Sequence, residues 1–442
     1  LKKLITTLYA GLLGSGAVFA QTIDPCGHAD YQHYLEQKYP GFIQRQQQIY
    51  ERAIQHVNRE AALRQVRSDT VFTIPVVFHI LHNTNAKNLH DSLIISQMEV
   101  FNRDFRKRNA DTSTIREIFR SRAIDTKIQF VFADRDPQGN PTNGINRVRV
   151  TRSTFGGFNL NDDMKFSSRG GADAWNTSKY LNIWVCDLSV NNLDALLGYA
   201  YPPVDAPNWS PGSYVPSPDH DGIVLHYKIV GRNNPFATGG ALAASRDGRT
   251  AVHEVGHYLG LRHTWGDPPN GVNGCNVDDG IDDTPLNATR ANFDCNKTRN
   301  TCNTGAGDEP DMVENYMDYS SHTCQVMFTA KQAGVMRFVL TRFRSTVYTA
   351  DIRTDTIIEA FNIFPNPNRE GRLTVEIPEE QLKSHRYTLD MTDMNGRRIW
   401  NGIPLSSTVN LLGTQLVARG VYIVRILDET GRVARLERVL FL

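Results

Sequence analysis

The residues whose types and spacing can do chemistry stand in one short stretch, His253-Glu254-Val255-Gly256-His257-Tyr258-Leu259-Gly260-Leu261-Arg262-His263. Two histidines four positions apart lie one turn apart on one face of a helix, so both imidazoles reach a single ion. Gly260 suits the left-handed residue that stops such a helix, and the sharp turn lets His263 supply a third nitrogen. Three protein ligands leave the fourth position of a tetrahedral zinc open to water, which a catalytic metal requires and a structural one does not. Glu254 follows the first ligand and is placed to take the proton of a zinc-activated water as it attacks a carbonyl. A bare H-E-x-x-H arises by chance in about 1% of chains this long. Gly260 and His263 at fixed offsets make coincidence far rarer.

The spacing predicts a helix over 249–259 to carry this motif. Upstream, 72–80, 128–132, 181–185 and 222–229 are rich in β-branched and aromatic residues and read as strands, and 91–107 has helical spacing. Alternating strands and helices predict an α/β layer structure. The stretch 266–324 is loop-like, and 329–342 reads as a closing helix. Beyond residue 350, short alternating segments at 373–377, 387–391, 421–426 and 433–440, with turn signals at Asn395-Gly396 and Thr430-Gly431, predict a small all-β sandwich.

The long motif resembles that of the metzincins, and Asn315-Tyr316-Met317-Asp318-Tyr319 is similar to their Met-turn. The resemblance implies a methionine, Met317, beneath the metal and a role for Tyr319 as hydrogen-bond donor to the oxyanion. Thr264-Trp265, the clustered cysteines, and the upstream Gly198-Tyr199-Ala200 and Asp221-Gly222-Ile223-Val224-Leu225 look like the pappalysin family over residues 72–344. That family implies a twisted sheet plus active-site helix in two lobes around a cleft, with disulfides Cys275–Cys302 and Cys295–Cys324. It also implies structural calcium at the acidic loop 278–284, with Asp279, Asp282, Asp283 and Thr284 as candidate ligands; such oxygen-rich flexible loops suit that ion. Some relatives cleave before arginine by means of an acidic residue that here is replaced within Ser320-Ser321-His322-Thr323, so no arginine preference is carried over.

The ends of the chain add a route and a control. Lys2 and Lys3, the apolar run 4–19 and Ala20 read as a signal peptide over 1–20, implying an oxidising compartment. The polar, helical stretch that follows reads as a pro-segment over 21–67, with cleavage near Arg67. The metzincin catalytic domain is expected over 68–350 and a secretion domain over 351–442. Phe364-Pro365-Asn366-Pro367, Asp393-Met394-Asn395-Gly396-Arg397 and Arg419-Gly420-Val421-Tyr422 resemble the sorting domain of the type IX secretion system, implying outer-membrane secretion machinery as a partner. Cys26, in Asp24-Pro25-Cys26-Gly27-His28, is a candidate thiolate for the open zinc position and hence for latency; a disulfide with Cys186 and an unpaired thiol are the alternatives.

Hydrophobic residues make up 40% and charged residues 21%, with a net charge of +1, which argues against disorder and against a nucleic-acid partner. No other apolar run is long enough for a transmembrane helix. The residues therefore point to a secreted or cell-surface zinc endopeptidase acting on protein or peptide substrates. The competing class, a catalytically dead binding protein on the same fold, is disfavoured by the intact histidines, Glu254 and Tyr319.

Overall fold

The computed structural model describes residues 25–62, 70–157, 160–205, 216–268, 272–305, 307–351, 361–393, 397–429 and 433–442. The signal peptide, the cleavage region near Arg67 and both turn dipeptides at 395–396 and 430–431 lie outside these residues.

The described residues begin with two helices, α1 (His28–Lys38) and α2 (Phe42–Ala62). Strand β1 (Val71–His82) follows, its side chains buried except at Pro75 and His82, as expected for a strand covered on both faces. After α3 (Asp91–Phe105) and the short α4 (Glu117–Arg120) come β2 (Ile128–Phe132), β3 (Ile145–Arg149), β4 (Leu181–Cys186), β5 (Gly198–Ala200) and β6 (Ile223–His226). The long β1 pairs in parallel with β2 through Phe72–Val76 and with β3 through Phe78–His82 along one side, and with β4 on the other. The sheet then runs through parallel β6 to antiparallel β5 at its edge. The segment 222–229 is strand only to His226, because Tyr227–Ile229 forms a 3-10 turn.

Helices α5 (Gly240–Ala244) and α6 (Arg249–Tyr258) lead into the loop region, and α7 (Ala330–Phe343) closes it. Helix α7 begins with a capping box in which Thr329 and Gln332 satisfy each other's backbone N–H groups. Gly334 on α7 lets α2 approach closely, since a Cβ there would meet Val57 at 2.9 Å. Strand β7 (Thr349–Asp351) pairs antiparallel with the start of β1. One core joins the sheet to α3, α6 and α7, and a second gathers Tyr31, Leu35 and Phe42 of the N-terminal segment against Trp184, Tyr199 and Tyr201.

The C-terminal unit holds β8 (Asn362–Phe364), β9 (Arg372–Glu376), α8 (Glu379–Ser384), β10 (Tyr387–Asp393), β11 (Arg398–Leu405), β12 (Val409–Gly413), β13 (Gly420–Asp428) and β14 (Val433–Phe441). A four-stranded sheet, β11-β10-β13-β14, and a three-stranded one, β12-β9-β8, share a core of Leu373, Val375, Leu389, Val424 and Ile426. The sequence signal did not reveal β8, β11 and β12. Strand β12 explains why: Val409 and Leu411 are 51% and 64% exposed, so its apolar residues do not mark a buried face.

Candidate active site

Helix α6 carries His253, Glu254 and His257, and every one of its side chains is buried. Arg249 at its first position is held by Asp104 at 2.9 Å and Asp111 at 2.6 Å, fixing the start of the helix. After the helix, Gly260 adopts φ +89°, the left-handed conformation the turn demands, and Val339 stands 2.7 Å from where a Cβ would be. His263 then comes back to the two helix histidines.

The three Nε2 atoms lie 3.1, 3.1 and 3.2 Å apart. Each ring is tethered through its other nitrogen. Nδ1 of His253 meets the Tyr316 carbonyl at 2.7 Å, Nδ1 of His257 the Leu261 carbonyl at 2.8 Å, and Nδ1 of His263 the Asp267 carboxylate at 2.7 Å. Carbonyls and carboxylates only accept, so each Nδ1 carries the proton and each Nε2 presents a lone pair. Burial, reinforced by the neighbouring His263, holds His253 down to about 3, and burial with the neighbouring His28 holds His257 well below the ordinary imidazole range, so these rings are neutral. Three buried lone pairs facing one another fit a cation between them and little else.

The Met-turn lies directly beneath. Met317 is buried, and its sulfur would be 2.4 Å from a Cβ at Gly256, so the glycine inside the motif is what lets helix and Met-turn touch. Trp265 stacks on the His263 ring at 4.2 Å, and Tyr319 packs edge-on against both.

Cys26 enters this site from the N-terminal segment. Its Sγ and the three histidine nitrogens all lie within 4.8 Å of one another, a group able to hold a metal ion. It stands 3.6 Å from Glu254 Oε2, and its carbonyl accepts a hydrogen bond from the Tyr319 phenol at 3.3 Å. The neighbouring His28 ring stacks on His257 at 3.9 Å. Cys186 is buried in β4 in a separate core, its thiol pushed up by that burial, and no disulfide joins it to Cys26.

Both loop disulfides, Cys275–Cys302 and Cys295–Cys324, are present, with Cα separations of 5.5 and 5.9 Å. The acidic loop does not converge as its density of carboxylates suggests. Asp279 is wholly buried, accepts from Ile281 N and from the Thr284 hydroxyl at 2.9 Å, and has no lysine or arginine paired with it among the described residues. Asp283 instead accepts from the Thr329 hydroxyl and Lys331 N at the start of α7. Asp282 is 71% exposed and pairs with Lys331.

Asp267 went unread in the sequence, and His28, Trp265 and Asp318 stood there only as members of motifs, without a role of their own. Asp267 could have been found as a carboxylate four residues after a ligand, the usual partner of a metal-bound imidazole. Asp318 lines a small cavity beside His253 and Glu254, together with Thr250, Phe293, His322 and Gln325. Burial raises its carboxyl to about 6, and its Oδ2 and Gln325 Oε1 have no hydrogen-bond partner among the described residues.

Helix, returning third histidine and Met-turn together define a metzincin metallopeptidase centre. Residues 238–341 match the family model described as pregnancy-associated plasma protein-A, and 362–436 match that of the secretion system C-terminal sorting domain. An extracellular metalloprotease of Colletotrichum graminicola is 39% identical over 150 residues, covering 34% of this chain and 47% of the relative. One from Sordaria macrospora is 34% identical over 170 residues, covering 38% and 51%. The chain thus spans about half the length of these curated relatives. Mature mirolysin of Tannerella forsythia, in complex with a cleaved peptide, superposes with a TM-score of 0.55 at 39% identity, over 63% of this chain and 95% of that one. A promirolysin mutant from the same organism gives 0.55 at 38% identity, over 67% and 90%. The chain belongs to the pappalysin family of metallopeptidases. Its sorting domain and its extracellular relatives mark it as secreted or displayed at the cell surface, and among the described residues no helix is long and apolar enough to cross a membrane.

Proposed function

We propose that this protein is a secreted zinc endopeptidase held latent by its own N-terminal segment. The observation that carries the reading is the convergence of three tethered imidazole lone pairs with the Cys26 sulfur. His253, His257 and His263 would hold the zinc, which when bound acidifies water and polarises a carbonyl. Glu254 receives the proton of the attacking water and passes it to the leaving amine. Tyr319 donates its phenol hydrogen to the oxygen of the scissile carbonyl as charge develops there. Its hydrogen bond to the Cys26 carbonyl supports that role, because a backbone carbonyl already sits where the phenol can reach it.

Cys26 supports the latency reading, since a thiolate among the three histidines completes a four-ligand, closed zinc site. Residues 21–67 would then be the pro-segment, 68–350 the catalytic domain and 351–442 the sorting domain, which would engage the outer-membrane secretion machinery. A calcium ion at Asp279 and Thr284 is the accompanying proposal. Burial, with the like-charged Asp278 beside it, pushes the Asp279 carboxyl well up and no lysine or arginine among the described residues pairs with it, so a bound cation would be what keeps it ionised.

The test is metal content and proteolysis of the purified chain. It should carry zinc, and after removal of residues up to Arg67 it should cleave casein. 1,10-Phenanthroline should abolish cleavage and added zinc restore it. Cleavage that persists in the metal-stripped protein would overturn the reading.

A further inference from the structure

The N-terminal segment makes a second insertion, away from the metal-binding group. Tyr31 of α1 is fully buried, and its hydroxyl donates to the Asp162 carboxylate at 2.8 and 2.9 Å. The same oxygen accepts from the Lys165 ammonium at 3.2 Å. Its ring lies 4.7 Å from that of Tyr199 and 6.2 Å from that of Tyr201. A phenol is thus read at both ends, by aromatic walls around the ring and by a paired acceptor and donor at the hydroxyl.

The base of this socket does not depend on Tyr31. Asp162 also binds Lys165 at 3.0 Å and Nδ1 of His220 at 2.6 Å, and Lys165 donates to the His220 carbonyl at 2.7 Å. Burial alone would push the Asp162 carboxyl up, but Lys165 and His220 outweigh it and bring it down to about 2, so the acceptor stays ionised. When α1 leaves, the ion pair keeps these contacts and loses only its phenol partner. Tyr199, one wall, belongs to β5, whose Gly198 lies against Cys26 and Glu254. An extended peptide advances about 3.3 Å per residue, so a polypeptide in the cleft reaches the socket within a few residues of the scissile bond.

We propose that, once the N-terminal segment is removed, this socket is a substrate subsite selective for a tyrosine side chain. The inference rests on the reading of residues 21–67 as a removable pro-segment of an endopeptidase. A phenylalanine would leave the Asp162 acceptor and the Lys165 donor facing an apolar ring edge, and sites built to bond a hydroxyl discriminate strongly against analogues lacking it.

The experiment uses the activated chain and one quenched-fluorescent peptide sequence, with tyrosine or phenylalanine placed in turn at each of the positions flanking the cleaved bond. At one fixed position tyrosine should raise kcat/KM at least tenfold over phenylalanine, chiefly through KM. Cleavage with equal rates for both residues at every position overturns the subsite and leaves the peptidase reading standing. Failure to cleave any peptide overturns both. In Asp162→Asn the tyrosine-to-phenylalanine ratio should collapse towards one, whatever the absolute rate; a ratio retained in that variant places recognition elsewhere and overturns the assignment. Should the variant not fold, a peptide of residues 28–42 replaces it. That peptide lacks Cys26, and it should inhibit the activated enzyme at least tenfold better than its Tyr31→Phe form; equal inhibition overturns the socket.

Discussion

The histidine site and the acidic loop each crowd metal-binding residue types into a short stretch of chain, yet the structure treats them differently. All three histidines meet, because helix geometry sets the first two and the Gly260 turn brings back the third. The loop's carboxylates disperse: Asp279 is buried with Thr284, Asp283 caps α7, and Asp282 faces solvent and Lys331. A regular element converts spacing into convergence, whereas in a loop each residue finds whatever neighbour the tertiary structure supplies.

The largest effect that tests this contrast is on catalysis. Glu254→Ala should retain zinc and fold while losing roughly 100- to 10,000-fold in activity, the usual weight of a general base. Substantial turnover with confirmed metal would break the assignment of roles on α6. Next, Cys26→Ala in the uncleaved chain should release activity with the N-terminal segment still attached. A folded, fully latent variant would remove Cys26 from the histidine group and leave the segment blocking the cleft by bulk alone.

For the loop, calcium added to metal-stripped, zinc-resupplied protein should raise the melting temperature. Saturation at about 100 times Kd corresponds to about 2.7 kcal/mol. Asp279→Asn should abolish that response, and a flat titration of the unmodified chain would mean that Asp279 is stabilised without a cation. Gly256→Ala should cost about 1–3 kcal/mol, read as a lower melting temperature, because the new methyl meets the Met317 sulfur in a close-packed site. The smallest change should come from Asp282→Asn, within about 0.5 kcal/mol as for most surface substitutions. A larger loss there would show that the loop converges more than its hydrogen bonds indicate.

Much of the fold and the site was legible in the sequence, and for the same reason. Strands buried on both faces, such as 72–80 and 181–185, show as continuous apolar runs, and α6 carries its chemistry at helical intervals. What escaped depends on contacts distant in sequence. Tyr31 meets Asp162 across 131 residues, and His28 stacks on His257 from the other end of the unit. Edge strands such as β12 carry no burial pattern to read. Neither the disulfide pairing nor the division of labour among Asp279, Asp282 and Asp283 follows from composition, because both are settled by where α7 and the loop meet.

The isolated parallel bridge between Cys26 and Gly198 has a consequence for the sheet itself. Gly27 N–H donates to the Gly198 carbonyl at 2.8 Å, and the Pro25 carbonyl accepts from Leu197 N–H at 2.8 Å, so the N-terminal segment caps the exposed side of edge strand β5. Removing the segment uncovers a short rim of main-chain donors and acceptors. Such a rim adds an extended polypeptide as a further strand without regard to its sequence. Removal of residues 21–67, as proposed, would therefore turn a protected edge into one open to pairing with an extended substrate chain.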